Sequence, residues 1–281
     1  MKKATLWGSR TYIMGIINLT PDSFSGDGLM DGSDIVINAL RQAMQFVSEG
    51  ADILDLGAES SRPGAESVSV EEEIQRLMPS LAAILKENLD AIISVDTYKS
   101  QVVERALQAG ADWINDIWGL RFDPLLAQIA SKFNAPIVIM HNGRELKQEP
   151  CLPNNKNQKD IINRVESGLQ ESIQIALDAG IQNEKIILDP GIGFGKTVGE
   201  NLELINRLTE IKAMGYPILI GPSRKSFIGS TLNLPSEQRL EGTTAATAIS
   251  ITRGADIIRV HDVQAMVRVA KMCDAILRQK G

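Results

Sequence analysis

The sequence predicts an α/β fold, a single (β/α)8 TIM barrel over residues 1–281, and three observations carry that expectation. Eight short apolar runs alternate with eight longer amphipathic stretches, polar side chains stand at the far end of each run, and no Pro/Ser/Gly-rich linker divides the chain. Such runs suit a parallel sheet buried on both faces. The polar residues that end them would then gather at the mouth of a closed barrel, where the active site of that fold lies. Units of about 30 residues fit the usual size of the barrel. A doubly wound open sheet of similar length is the structural alternative.

In chain order, the first run, 13–18, ends on Asn18, and a long connection at 20–32 leads to a helix expected over 35–48. The second run, 53–59, ends on Glu59. Another long connection, 60–69, closes on Ser69, which with Glu72 three residues on has the form of a capping box opening a helix over 70–86. The third run, 92–96, ends on Asp96 and precedes a helix over 101–109; the fourth, 113–115, ends on Asn115 before a helix over 125–133. The fifth, 137–141, ends on His141, and the longest connection, 142–160, separates it from a helix over 161–179. The sixth, 186–189, ends on Asp189 and is followed by a helix over 202–214. The seventh, 218–223, ends on Ser223 with Lys225 just beyond, before a helix over 242–252. The eighth, 257–261, ends on His261 and leads to a helix over 263–278. Long connections at this end of a barrel are commonly substrate lids.

A local grammar repeats: Gly50-Ala51-Asp52, Gly110-Ala111-Asp112 and Gly254-Ala255-Asp256 each stand between a helical stretch and an apolar run. Each glycine is expected to supply the left-handed residue that ends a helix. A composition of 43% hydrophobic but only 4% aromatic residues fits a core of branched aliphatics. The net charge of −6 offers no footprint for nucleic acid and no polybasic patch for a membrane surface, so a small-molecule substrate is expected. Gly8, Ser9 and Arg10 interrupt any signal-peptide core and no apolar run has the length of a membrane span, which predicts a cytoplasmic protein. Cys151 and Cys273 read as ordinary free thiols.

Strand periodicity places Arg259 and His261 on one face with Val260 opposite. Together with Arg62 and Lys225 they would form a basic floor for an anion, although any one of them alone would more often be a surface salt bridge. Asp96, Asn115 and Asp189 are different. Buried, they must either hydrogen-bond one another as a structural polar layer or recognise the N–H groups of a heterocycle, and two carboxylates beside an amide favour the ring. The segment 189–196 has glycines but neither the phosphate-loop nor the dinucleotide spacing, so its glycines are expected to let backbone approach a flat ligand beside Phe194. A helix or turn starting at Ser226 would aim N–H groups at an anion. With only two histidines a zinc cluster is not expected, whereas Asn18 and Asp22 near phosphate would suit Mg²⁺.

The segments Met14-Gly15-Ile16-Ile17-Asn18-Leu19-Thr20-Pro21-Asp22-Ser23-Phe24-Ser25, Gly57-Ala58-Glu59-Ser60-Ser61-Arg62-Pro63-Gly64, Ser94-Val95-Asp96-Thr97, Asp189 to Lys196, Ser223 to Gly229 and Arg259-Val260-His261-Asp262 together resemble the dihydropteroate synthase family, in family order from the first run to the eighth. The resemblance implies condensation of 6-hydroxymethyl-7,8-dihydropterin pyrophosphate with 4-aminobenzoate to 7,8-dihydropteroate and pyrophosphate, by an SN1-like substitution in folate biosynthesis. It implies that Asp96, Asn115, Asp189 and Lys225 hold the pterin with Met140 and Phe194 near the ring. Ser61, Arg62, Arg259 and His261 would hold the pyrophosphate, Asn18 would coordinate Mg²⁺, and Phe24, Pro63 and Ser226 would border the aminobenzoate. Asp96, Lys225, Arg259 and His261 are the implied catalytic groups, and a homodimer is implied. Ser61 replaces the commoner threonine but keeps the hydroxyl. The divergent 142–160 segment contributes no site residue. The competing expectations are a pterin-dependent methyltransferase domain, which needs neither the Asn18 loop nor a diphosphate floor, and a non-catalytic pterin-binding paralogue. An aldolase-type barrel would need a Schiff-base lysine on a strand, whereas Lys225 lies beyond one.

Overall fold

The computed structural model describes residues 5–20, 32–60, 67–144 and 160–278. Eight parallel strands alternate with helices: β1 Tyr12–Asn18, α1 Gly32–Glu49, β2 Ile53–Gly57, α2 Val70–Lys86, β3 Ile92–Asp96, α3 Ser100–Ala109, β4 Trp113–Asp116, α4 Pro124–Lys132, β5 Ile137–Met140, α5 Ile161–Asp178 and β6 Ile186–Asp189. The second part continues with α6 Val198–Asn206, α7 Leu208–Lys212, β7 Leu219–Ile220, α8 Ser226–Leu232, α9 Leu240–Thr252, β8 Ile257–Val260 and α10 Val263–Leu277. The sheet runs β6-β5-β4-β3-β2-β1-β8-β7, and a parallel bridge between Leu188 and Ile218 joins its two ends. The result is the closed barrel the apolar runs predict.

Two apolar layers follow from the period of two in each strand. Tyr12, Met14, Ile53, Ile92, Trp113, Val138, Ile187, Leu219 and Ile257 pack inside the barrel, and Trp7 stacks edge-on against Tyr12 beneath them. The alternate residues, among them Ile13, Leu54, Ile93, Ile114, Ile139, Leu188, Ile258 and Val260, pack outward against the helices. Register therefore dictates that Asp55, Ser94, Asp96, Asn115, Met140, Asp189 and Arg259, each two or four residues beyond an inner-layer residue, point into the barrel above that plug.

The Gly-Ala-Asp repeat has a physical cause in this register. Gly110 adopts φ 114° and ends α3 with its N–H on Leu107 and Ala106 carbonyls, as a left-handed cap requires. Each aspartate then accepts the backbone N–H of the neighbouring strand: Asp52 from Ile13 at 3.0 Å, Asp112 from Ile93 at 2.9 Å and Asp256 from Ile218 at 2.8 Å. These groups satisfy strand beginnings at the end of the barrel opposite the mouth, where stability rather than chemistry is decided.

The helix expected over 202–214 is two helices. It begins earlier, because Thr197 and Glu200 form a full capping box, and it breaks at Arg207, whose guanidinium binds Asp160, Glu203 and Glu210. The box expected at Ser69 is half made. Ser69 accepts the Glu72 N–H at 3.1 Å, but the Glu72 carboxylate turns to Arg76. The seventh strand is shorter than the run 218–223, since Pro217 and Pro222 cannot donate to a ladder.

Candidate active site

At the mouth, β2, β3, β4 and β8 deliver four side chains that bond one another. Arg259 donates from Nε to Asp55 Oδ2 at 2.6 Å and from Nη2 to Asp96 Oδ2 at 2.6 Å, while Asn115 Nδ2 donates to the same Asp55 oxygen at 2.9 Å. Asp55 is fully buried, and among the described residues its other oxygen, Oδ1, has no hydrogen-bond partner, nor does the buried Ser94 hydroxyl beside it in register. Glycines stand at two inward positions of the rim: Gly57, whose side would abut Asp96, and Gly221, whose side faces Arg259 and Lys225. The absence of side chains there leaves space around the charged groups.

A second group comes from β5, β6 and the turn after β7. Asp189 Oδ1 accepts the Gly191 N–H at 2.7 Å, and Met140, buried at the end of β5, lies in register with Asp189. Lys225 follows the left-handed Arg224 and donates to the Ile192 carbonyl, its ammonium 4.7 Å from the centroid of the Phe194 ring. Arg144 approaches the same ring at 4.9 Å. His261 and Ser223 bond across the ends of β8 and β7, with His261 Nδ1 3.0 Å from Ser223 Oγ and the His261 N–H on the same oxygen.

Burial governs protonation here. It pushes the Asp96 carboxyl well above the ordinary range, with Arg259 opposing and Asp55 reinforcing the shift, and it raises Asp189 against the pull of Lys225. Burial lowers the Lys225 ammonium to about 8, although Asp189 supports the charge. For Arg259 burial acts downward, but Asp55 and Asp96 override it and hold the guanidinium charged.

The structure thus brings together Asp96, Asn115, Met140, Asp189, Phe194, Lys225, Arg259 and His261 at one end of the barrel. Asn18 is half-buried at the end of β1, and Ser226 is the exposed first residue of α8. Phe24, Ser61, Arg62 and Pro63, with Asp22, lie outside the described residues. Three expectations are corrected. The basic floor is not a row of free cations: Arg259 is spanned by two carboxylates, so the mouth alternates charge. The glycines of 189–196 serve the protein's own packing, because a side chain at Gly191 (φ 72°) would meet the His141 carbonyl at 2.0 Å and one at Gly193 (φ 83°) would meet Lys225 at 2.8 Å. Lys196 ties this turn down by donating to the carbonyls of His141, Gly191 and Phe194. Finally, His141 ends its run but points away from the barrel interior. It is buried against Gly168 of α5, which keeps its imidazole neutral.

Asp55 is the residue that sequence reasoning missed. It sits mid-run between Leu54 and Leu56 and looks like part of a strand interior. The available signal was its parity with Gly57 at the rim, since a carboxylate at an inward position must find partners or cost several kcal/mol.

With this geometry in view, residues 14–261 match the family model described as pterin binding enzyme, and the chain belongs to that family. Within it, the chain is similar to dihydropteroate synthases. It is 50% identical to that of Clostridium beijerinckii, over 97% of this chain and 96% of the relative, and 47% identical to that of Bacillus subtilis, over 99% and 93%. Among solved structures, the dihydropteroate synthase of Clostridium difficile in the presence of pteroic acid superimposes with a TM-score of 0.89 at 45% identity, covering 98% of this chain and 100% of that one. The enzyme of Xanthomonas albilineans with 4-aminobenzoic acid gives 0.87 at 36% identity, covering 96% and 94%. No helix among the described residues is long and apolar enough to cross a membrane.

Proposed function

We propose that this protein is a dihydropteroate synthase of folate biosynthesis, joining 6-hydroxymethyl-7,8-dihydropterin pyrophosphate to 4-aminobenzoate. The observation that carries the reading is the convergence of Asp96, Asn115, Asp189 and Lys225 in the barrel mouth. They present acceptors and donors at fixed positions to a flat ring rich in N–H groups, with Phe194 and Met140 as apolar neighbours.

The substitution is SN1-like: the bond from the pterin methylene carbon to the pyrophosphate oxygen breaks, the electron pair leaves with pyrophosphate, and the aminobenzoate nitrogen adds to the carbon and loses a proton. Asp96 would stabilise the developing cation when ionised, and an aimed charge in a site of low dielectric is where such stabilisation is greatest. Lys225, Arg259 and His261, with Ser61 and Arg62, would receive the leaving group, and Ser226 with Phe24 and Pro63 would border the aminobenzoate. Met140 and Phe194 require no titration to act. No side-chain nucleophile is needed.

Asn18 fits Mg²⁺. Its neutral side-chain oxygen, at the end of β1, would suit a cation that keeps water and substrate oxygens in its shell. When bound, the ion would neutralise charge on the diphosphate. A cytoplasmic homodimer completes the proposal. The exposed apolar side chains Val198 and Leu202 on α6 and Leu240 and Ile249 on α9, helices that pack together, are surface that self-association would cover. The test is pyrophosphate release by the purified protein from the pterin pyrophosphate. Release that depends on 4-aminobenzoate supports the synthase; pterin binding with no turnover would indicate a non-catalytic binder instead.

A further inference from the structure

Two features of the proposed ring pocket stand on the turn that follows β6, and not on a strand. Phe194 is the aromatic neighbour of the Lys225 ammonium, and the Ile192 carbonyl accepts from that ammonium. The turn is built on Gly191, Gly193 and Gly195, all of positive φ. Glycine leaves a chain its widest choice of conformations, so a turn of this composition needs other groups to select one. Its N–H groups are taken: Gly191 donates to Asp189 Oδ1 at 2.7 Å, Gly193 to Asn201 Oδ1 at 2.7 Å and Phe194 to the Gly191 carbonyl at 3.1 Å.

Lys196 takes the carbonyls. Its ammonium donates to Gly191 at 2.8 Å, to His141 at 3.1 Å and to Phe194 at 3.2 Å, which places all three protons on main chain. Gly191 and Phe194 bracket the turn, and His141 follows β5, so one side chain closes the turn on itself and ties it to the neighbouring strand end. Among the described residues no carboxylate pairs with this ammonium. Bonds that go only to carbonyls specify a backbone shape and do not neutralise a charge. Loss of water around the group lowers it to about 7, with Asp189 and Glu200 supporting the charge and Lys225 and Arg164 opposing it. At pH 6 it therefore keeps its three protons.

We propose that Lys196 is a positioning residue for recognition of the pterin ring: by gathering the carbonyls of His141, Gly191 and Phe194 it sets where Phe194 stands and where the Ile192 carbonyl holds Lys225. The proposal rests on the synthase reading for the identity of the ring. It predicts a selective defect. Among the groups assigned to the diphosphate, Arg259 is held by Asp55 and Asp96, and His261 by Ser223, all outside this turn. The ring should therefore bind poorly while an inorganic anion binds normally.

The experiment titrates Lys196→Met and Lys196→Gln calorimetrically at pH 6 with hydroxymethylpterin and with inorganic pyrophosphate, measures KM for both substrates, and compares amide hydrogen exchange with wild type. Wild-type binding of hydroxymethylpterin is the control, and its absence would count against the synthase reading alone. In Lys196→Met hydroxymethylpterin should bind about ten- to hundredfold more weakly, as expected for the loss of one or two positioned contacts. Inorganic pyrophosphate should bind unchanged. KM should rise for the pterin pyrophosphate and not for 4-aminobenzoate, and exchange should quicken at the N–H groups of Gly191, Gly193 and Phe194. Lys196→Gln keeps two N–H donors, so it folds if Lys196→Met does not, and should show the same selectivity to a smaller extent. Equal weakening of hydroxymethylpterin and inorganic pyrophosphate would overturn the assignment. So would wild-type affinity for hydroxymethylpterin in Lys196→Met, or in Lys196→Gln where that variant alone folds.

Discussion

Asp55→Asn is the most searching test of the mouth, because it removes one charge from the centre of the Arg259, Asn115 and Asp96 set without changing the volume of the side chain. In the native protein a single Asp55 oxygen accepts from Arg259 at 2.6 Å and from Asn115 at 2.9 Å. An amide oxygen can still accept from both but without the charge assistance, and Arg259 retains Asp96. The net loss is one charge-assisted hydrogen bond at a fully buried acceptor, about 1.5 to 3 kcal/mol, or roughly ten- to 150-fold in an equilibrium constant. Since Asn115 and Arg259 are both oriented by Asp55, the loss should appear in pterin binding as well as in folding. Calorimetry should show about ten- to hundredfold weaker binding of hydroxymethylpterin and of its pyrophosphate, and urea unfolding should show a loss of about 3 kcal/mol or less. A protonation effect follows too. Asp55 helps push the Asp96 carboxyl upward, so neutralising it should lower the Asp96 titration. Between the ordinary carboxylate value and the raised one, native Asp96 holds a proton that the unfolded chain releases, so stability falls as pH rises through that window. That fall should shrink in Asp55→Asn. Wild-type affinity for both ligands in a destabilised variant would refute the reasoning and make Asp55 a purely structural residue.

Three further outcomes are expected. Because Lys225 titrates near about 8 and not 10.5, binding of the pterin pyrophosphate should weaken as pH rises through about 8, and Lys225→Met should remove that dependence; a profile identical in the variant would separate Lys225 from the anion. The same shift means that unfolded chains bind a proton that the native protein has released above about 8, so the cost of burying this ammonium is relieved, and stability from this group rises, from there toward 10.5. Turnover should stop in EDTA and return with Mg²⁺, and Asn18→Ala should weaken use of the diphosphate more than binding of pterin alone; full activity in EDTA would remove the metal. At the opposite end of the barrel, Asp256→Ala orphans the buried Ile218 N–H and removes the carboxylate partner of Lys212, which keeps the Tyr216 carbonyl; this should cost about 1 to 3 kcal/mol and lower the melting temperature by roughly 2 to 4 °C for each kcal/mol. Kinetic constants should not change, and a selective loss of turnover without a shift in melting would contradict the division between the two ends.

The barrel was legible because its cause is local. Branched aliphatic runs such as 137–140 and 186–189 cannot be solvated, their spacing is that of strand and helix in turn, and parity alone puts Arg259 and Val260 on opposite faces. The Gly-Ala-Asp repeats were legible as helix ends, and Ser69 as a helix start. The break at Arg207 was not, since it depends on Asp160, a partner far away in sequence. His141 was misplaced for a related reason: it ends a run, but only the register with Asp189 and the closeness of α5 decide which way it faces.

By itself the sequence determined the fold class, the end of the barrel where polar groups collect, and the motifs that mark the family, because each depends on hydrophobic period, on turn chemistry or on residue identity at fixed spacing. Tertiary structure alone decided who pairs with whom. Arg259 meets Asp55 from a position 204 residues away, Lys196 draws together the carbonyls of His141, Gly191 and Phe194, and the glycines of 189–196 make room for this protein's own carbonyl and lysine. Charge and hydrogen-bond partnerships act through space over a few ångströms, and chain order carries no record of that distance until the barrel closes.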